Sequence, residues 1–289
     1  SAGLIPLLGL RALLWVALSL LLVCAGLYWA VERRQRALGV APRTNAQAPA
    51  SPAARAPNES PTKPSGAFAL VMRDRYLSLI AAFSLIFTWV NTNGEYMLGK
   101  VIRQHAVDAV AQGRAHSVGE QIGASYAQFF FYVNVIGVLL QTFVVARLVR
   151  WLGFRTAFLV LPVLALGDAS AIALAPVLLV ICVAKGLENS TDYSLNNTLR
   201  QMLWLVTSRE MKYKAKQAVD TFFVRMGDVC SALLVWIGVT YFALDVRRMA
   251  TLNLLFALVW LFLAVVIGRE HARRARAVAL SGTPSTTGQ

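Results

Sequence analysis

Residues 171–201 read AIALAPVLLVICVAKGLENSTDYSLNNTLRQ. The run from Ala171 to Ala184 carries no charge, and then Lys185, Glu188 and Asp192 arrive where the next turns of the same greasy helix should be. On a helix, Lys185, Glu188, Asn189, Asp192 and Asn196 fall at i, i+3, i+4, i+7 and i+11, which is one face; Leu187, Leu195 and Leu199 take the other. A charge near mid-bilayer costs about 2.5–3.5 kcal/mol on insertion scales. Three on one helix therefore predict a stripe that faces a water-filled cavity or paired partners. Lys185 and Glu188 are spaced to pair with each other. Asn196 and Arg200, near the helix end, are expected on a solvated face.

The rest of the chain sets this helix in a membrane. Of 289 residues 57% are hydrophobic and only 15% charged. A bilayer-crossing helix needs roughly 20 mostly apolar residues. Such runs lie at about 9–31, 76–99, 126–146, 155–174, 176–199, 217–244 and 248–267. The fold class is an all-α membrane protein with about seven transmembrane helices.

A net charge of +14 suits a nucleic-acid binder, but the distribution of the charges excludes one. Twenty of the 28 Lys and Arg fall on one side of the spans, in the stretches 33–75, 147–155, 200–216 and 269–276. Only Lys100, Arg103, Arg114, Arg247 and Arg248 fall on the other. The positive-inside rule puts the rich side, and the C-terminus, in the cytoplasm.

Enzyme chemistry has no foothold. There is no HExxH, no GxSxG and no carboxylate–His grouping. Cys24, Cys182 and Cys230 lie inside spans without metal-ligand spacing, and His105, His116 and His271 form no cluster. No cofactor, metal or catalytic residue is implied.

The chain starts at Ser1 and enters its first span almost at once, which reads as a fragment whose beginning is missing. Residues 1–36 are expected to hold one span. Residues 37–67, rich in Pro, Ala and Ser, read as a disordered cytoplasmic linker. Residues 68–268 hold six spans, and 269–289 a basic cytoplasmic tail. One span, a long linker and six more spans match the end of one half, the central loop and the whole second half of a major facilitator-type bundle. The first half of the same protein is then its expected partner, alongside the lipid bilayer. The loop 100–125 is read as either a plain loop or an amphipathic interfacial helix, RLVRWLGFR (147–155) as a short basic loop, and Ala175 as a tight turn before Pro176.

Other spans carry polar groups too. Thr88, Asn91 and Glu95 follow at i, i+3 and i+7. Asp220, Arg225 and Asp228 lie in the next-to-last span, and Asp168 is a lone acid in the fourth. Arg225 and Asp168 are read as structural. Charges of both signs suit a charged organic solute more than a pure proton relay. The expected substrate-binding wall is Lys185, Glu188, Asp192, Glu95, Asn91, Asp220 and Asn189. Lys185 would take an anionic group, and Glu95 and Asp192 would bind polar groups or protons. The alternative is a non-transporting scaffold or sensor on the same fold, for which Lys185 would be buried against Glu188 with no solvent path.

DYSLNNTLRQMLWLVTSREMKYKAKQAVDTFFVRMGD (192–228) resembles the ATP/ADP translocases, nucleotide transporters of plastids and obligate intracellular bacteria. That family shows a run like YSLFDPTKEMAYIPLD, then KVKGKAAID, then a Gly-Lys-Ser-Gly-Gly turn. Tyr193, Ser194, Leu195 and Met202 match, with Arg200 for the lysine, Gln201 for the glutamate and Trp204 for the tyrosine. Lys212, Lys214, Lys216, Ala218 and Asp220 match in order. Residues 130–162 and Glu95, with its following aromatic and lysine, resemble the family's pattern as well. Thr198 and Asn197 replace its proline and aspartate, and Asp228 stands where its turn has a lysine. The resemblance implies a secondary transporter of the bacterial inner membrane, exchanging nucleotides or, given the reversed charge at Asp228, another charged solute.

Overall fold

The computed structural model describes residues 15, 18–19, 21–30, 33–34, 66–208 and 211–281, with side chains as far as Ala277. Contacts divide the chain into two units, Ser1–Ser65 and Gly66–Gln289. The first holds the apolar helix α1 (Leu21–Ala30). Much of the span expected over 9–31, nearly all of the linker over 37–67 and the last residues of the tail lie outside the described residues.

The described residues of the second unit form helices joined by short turns. Its elements are α2 (Ala67–Arg73), α3 (Arg75–Ala111), α4 (Val118–Ala157), α5 (Val160–Leu174), α6 (residues 178–206), α7 (Met211–Phe242) and α8 (Val246–Ser281). Helices α3, α4, α7 and α8 are long and apolar enough to cross a membrane, so this is an integral membrane protein. The other two spans expected in this unit coincide with α5 and α6 but differ from full crossings. At 1.5 Å per residue α5 is roughly 22 Å long, short of a hydrocarbon core of about 30 Å. The regular part of α6 stops at Thr191, where a π-wound turn, Asp192–Asn196, takes over.

Local signals fix the ends. Asp74 caps α3, its carboxylate accepting from the backbone N–H groups of Tyr76 and Leu77. Ser117 caps α4 by accepting from Glu120 N–H. The expected 100–125 loop shrinks to residues 112–117, between the end of α3 at Ala111 and the Ser117 cap, with Gly113 at φ +69°. Its flanks lengthen α3 and α4 instead of forming an interfacial helix. The basic stretch 147–155 is helical except at Gly153, where φ +70° and ψ 167° kink the chain. The turn at Ala175 is present, and α6 starts at Leu178, two residues past Pro176.

Helix α3 is the centre of the unit and packs against α4, α6, α7 and α8; α8 also packs along α5. The α8 helix runs on to Ser281, through the stretch expected to be a tail. Glu270 holds that stretch through Arg273 (2.7 Å) and Arg274 (3.5 Å). One Arg274 Nη2 donates to both Asp74 oxygens at 2.9 and 3.0 Å, with the guanidinium 4.7 Å over the Tyr76 ring. The Tyr76 hydroxyl in turn donates to the Leu203 carbonyl. Arg274→Ala removes a charge-assisted contact that is three-quarters buried. It should lower stability by about 1–2 kcal/mol, read as an earlier thermal transition of the detergent-solubilised protein.

Candidate functional site

Two apolar clusters lie along the bundle, with a polar belt between them. On α3, Tyr76 to Val90 belong to the first cluster and Met97, Leu98 and Ile102 to the second. Asn91, Thr92, Asn93 and Glu95 fall between. Asp168 on α5 falls between Ala165 and Ile172, Lys185 to Asn189 on α6 between Ile181 and Leu195, and Asn253 on α8 between Ala250 and Ala257. The sequence thus places polar groups at one step on each helix, where packing brings them together.

Lys185 is the hub. Its side chain is fully buried, at 0% exposure. Its Nζ donates to Glu188 Oε2 at 2.9 Å and to Asn91 Oδ1 at 3.1 Å, and stands 3.8 Å from Glu95 Oε1. Asn189 Nδ2 donates to that same Glu95 oxygen at 2.8 Å. Gly94 makes the space: a Cβ there would sit 2.8 Å from Lys185 Nζ. Five of the seven expected residues (Asn91, Glu95, Lys185, Glu188 and Asn189) therefore meet across α3 and α6. Glu95 keeps a third of its side chain exposed, so the cluster reaches the bundle surface through that carboxylate.

The remaining two lie elsewhere. Asp192 starts the π-wound turn and accepts from Asn196 Nδ2 at 2.7 Å. Asn196 is buried, not solvated as expected: it stays on the Lys185 face and its amide is held by Asp192. Asp220, 41% exposed, pairs with Arg200 at 3.3 Å. Together with Gln201, Trp204 and Lys216 they line a recess of about 260 Å³, separate from Lys185. Lys216 Nζ donates to Gln201 there at 2.6 Å.

Several belt residues were not foreseen. Asp168 is not alone: it is buried on α5 with Glu188, Lys185 and Glu95 as its charged neighbours. Ser231 Oγ donates to Asn93 Oδ1 at 3.0 Å, and Asn253 Nδ2 to the Val90 carbonyl at 3.2 Å. A single acid in an apolar run was a signal, but periodicity names no partner on another helix.

No family model and no solved structure matches the chain. Curated proteins do. "ADP,ATP carrier protein 1" of Chlamydia pneumoniae is 28% identical over 126 residues, 37% of this chain and 24% of that protein. The protein of the same name from Chlamydia muridarum is 26% identical over 134 residues, 39% and 25% respectively. The chain is a distant relative of the ATP/ADP translocases. The matched stretch spans about a quarter of the length of those relatives.

The position where the translocase pattern carries a lysine can now be placed. Asp228 accepts from Thr92 Oγ1 at 2.8 Å and pairs with Arg225 at 3.1 Å. The acid is thus answered by a neighbouring cation one turn earlier. Gly227, the first glycine of the translocase turn, lets α7 touch α3: a Cβ there would lie 2.5 Å from the Leu85 carbonyl oxygen.

Proposed function

We propose that the chain is part of a secondary transporter, nucleotide-exchanger-like, that moves a charged organic solute by alternating access. The observation that carries this reading is Lys185, fully buried at mid-bundle and held between α3 and α6 by Glu188, Asn91 and Glu95. A buried cation with exchangeable carboxylate partners is a site where a solute's anion can take their place. Relation to proteins named ADP,ATP carriers makes a nucleotide the first solute to try.

In this reading α3 to α8 are the six-helix second half of a major facilitator-type bundle, and α1 ends the first half. The two halves rock about a mid-membrane site. Asn91, Glu95, Glu188 and Asn189 orient the solute around Lys185, while Asp192 and Asp220 meet it along the path. The basic end of the bundle and the C-terminus face the cytoplasm of a bacterial inner membrane.

The burial of Lys185 against Glu188 also favours a second reading, a non-transporting scaffold or sensor on the same fold. One experiment separates the two. Proteoliposomes holding the full-length protein are preloaded with ADP and offered labelled ATP outside. The expected result is uptake that requires internal nucleotide and falls to the level of empty liposomes in Lys185→Ala. No uptake of ATP or of other phosphorylated solutes, from protein shown to be folded, would leave the scaffold reading.

A further inference from the structure

Helix α8 leaves its apolar run through a cluster of arginines. The twenty residues between Arg248 and Arg269 carry no charge. At 1.5 Å per residue that run is roughly 30 Å long, the thickness of a hydrocarbon core. Arg269, Arg273 and Arg276 therefore lie at headgroup depth, where Arg155 meets them from the end of α4. The four line a recess of about 360 Å³ that no Asp or Glu lines. Arg155, Arg269 and Arg276 are exposed and form no ion pair among the described residues. Glu270 is taken by Arg273 and Arg274, and Asp74 by Arg274. A second recess of about 440 Å³ adjoins the first through Arg155 and Ala272, and Leu152, Phe154, Leu159, Ala264 and Val265 give it apolar walls. Gly268 lets the Arg155 stem lie on α8, since a Cβ there would meet Arg155 Cβ and Cγ at 3.8 Å. Leu255, Leu258 and Phe262 are exposed and precede Val265 and Arg269 at steps of three and four. One stripe of α8 thus runs from exposed apolar side chains to exposed guanidinium groups. Trp151, also exposed, stands four residues before Arg155, as aromatic side chains do at a membrane interface.

We infer that the recess between α4 and α8 binds an anionic phospholipid. Its phosphate is held by Arg155, Arg269 and Arg276, and an acyl chain lies along Val265, Phe262 and Leu258. The positive-inside rule explains basic residues at this end of the bundle, but not their convergence on one recess. Four guanidinium groups with no carboxylate among them repel one another, and an anion between them relieves that repulsion. Guanidinium also matches phosphate oxygens in bidentate geometry. Basic pockets between transmembrane helices bind lipid headgroups in this way. A lipid headgroup and a free phosphate share that chemistry. The apolar stripe leading into the recess favours the lipid, because a free anion gains nothing from it. The site shares no residue with the Lys185 cluster or with the recess at Arg200, so it stands apart from the transporter reading.

The test uses purified full-length protein in a neutral detergent, titrated with phosphatidylglycerol, with phosphatidylcholine of the same chains, and with inorganic phosphate. Native mass spectrometry counts what is bound. Phosphatidylglycerol should be retained about tenfold more tightly than phosphatidylcholine, and inorganic phosphate should not displace it. Arg155→Gln combined with Arg269→Gln should weaken that retention by about tenfold or more, and Arg155→Gln alone, which leaves α8 unchanged, by about fivefold. The single variant keeps the test readable should the double variant not fold. Arg147→Gln combined with Arg150→Gln removes the same charge from the same end, and neither residue lines the recesses. It should leave retention within about twofold of the wild type. Equal retention of the two lipids, or an equal loss in both double variants, overturns the site. Displacement of the lipid by inorganic phosphate would make this a free-anion site and overturns the lipid.

Discussion

Lys185→Met will destabilise the protein by about 3–5 kcal/mol, and adding Glu188→Gln will recover much of that loss without recovering transport. Lys185 is fully buried and its Nζ is 2.9 Å from Glu188 Oε2. Removing one partner of such a pair strands the other in a medium that solvates it poorly, whereas replacing both by neutral groups of similar size is often tolerated. Glu95, a third exposed, can turn to water when the lysine goes. Glu188 cannot. Thermal unfolding in detergent reads the stability of the single and double variants. Counterflow of labelled ATP reads their activity. A double variant as active as the wild type would show that Lys185 serves the fold alone. A single variant as stable as the wild type would show that the cluster is not held by charge.

Gly227→Ala will also cost stability, about 1–3 kcal/mol from overpacking alone. Its new Cβ would lie 2.5 Å from the Leu85 carbonyl oxygen and 2.9 Å from Thr88 Cβ. Backbone cannot swing aside as a side-chain tip can, so α7 must move away from α3. That movement pulls on the Thr92–Asp228 and Asn93–Ser231 hydrogen bonds, which cross the same interface. Small residues at such crossings let membrane helices pack closely. Gly94→Ala makes the contrasting case. There the Cβ meets the flexible end of Lys185, with Nζ at 2.8 Å. The lysine shifts, its bonds to Asn91 and Glu188 lengthen, and activity falls more than stability. Thermal transitions and uptake rates of the two variants, side by side, check this order. A Gly227→Ala protein that unfolds at the wild-type temperature would remove the close crossing.

The sequence by itself determined the class of the molecule and the polar faces of α3 and α6. A bilayer leaves helices as the way for long apolar runs to satisfy their backbone groups, and a 3.6-residue period then assigns faces. That was enough to group Lys185, Glu188 and Asn189 on one helix and Asn91 and Glu95 on another. It was enough for the Lys185–Glu188 pair, which is local. What only the tertiary structure decided is which faces meet. Asp168 was one acid in an apolar helix until α5 packed beside α6 and set it against Glu188. Asp220 was counted in the same wall as Lys185, yet the packing of α7 set it against Arg200, away from Lys185. Asn196, expected in solvent near the helix end, lies deep enough to be buried against Asp192. The reason is common to all three. Periodicity fixes directions around one helix axis, while contacts between helices depend on rotation, crossing and depth, which packing sets through residues as small as Gly94 and Gly227.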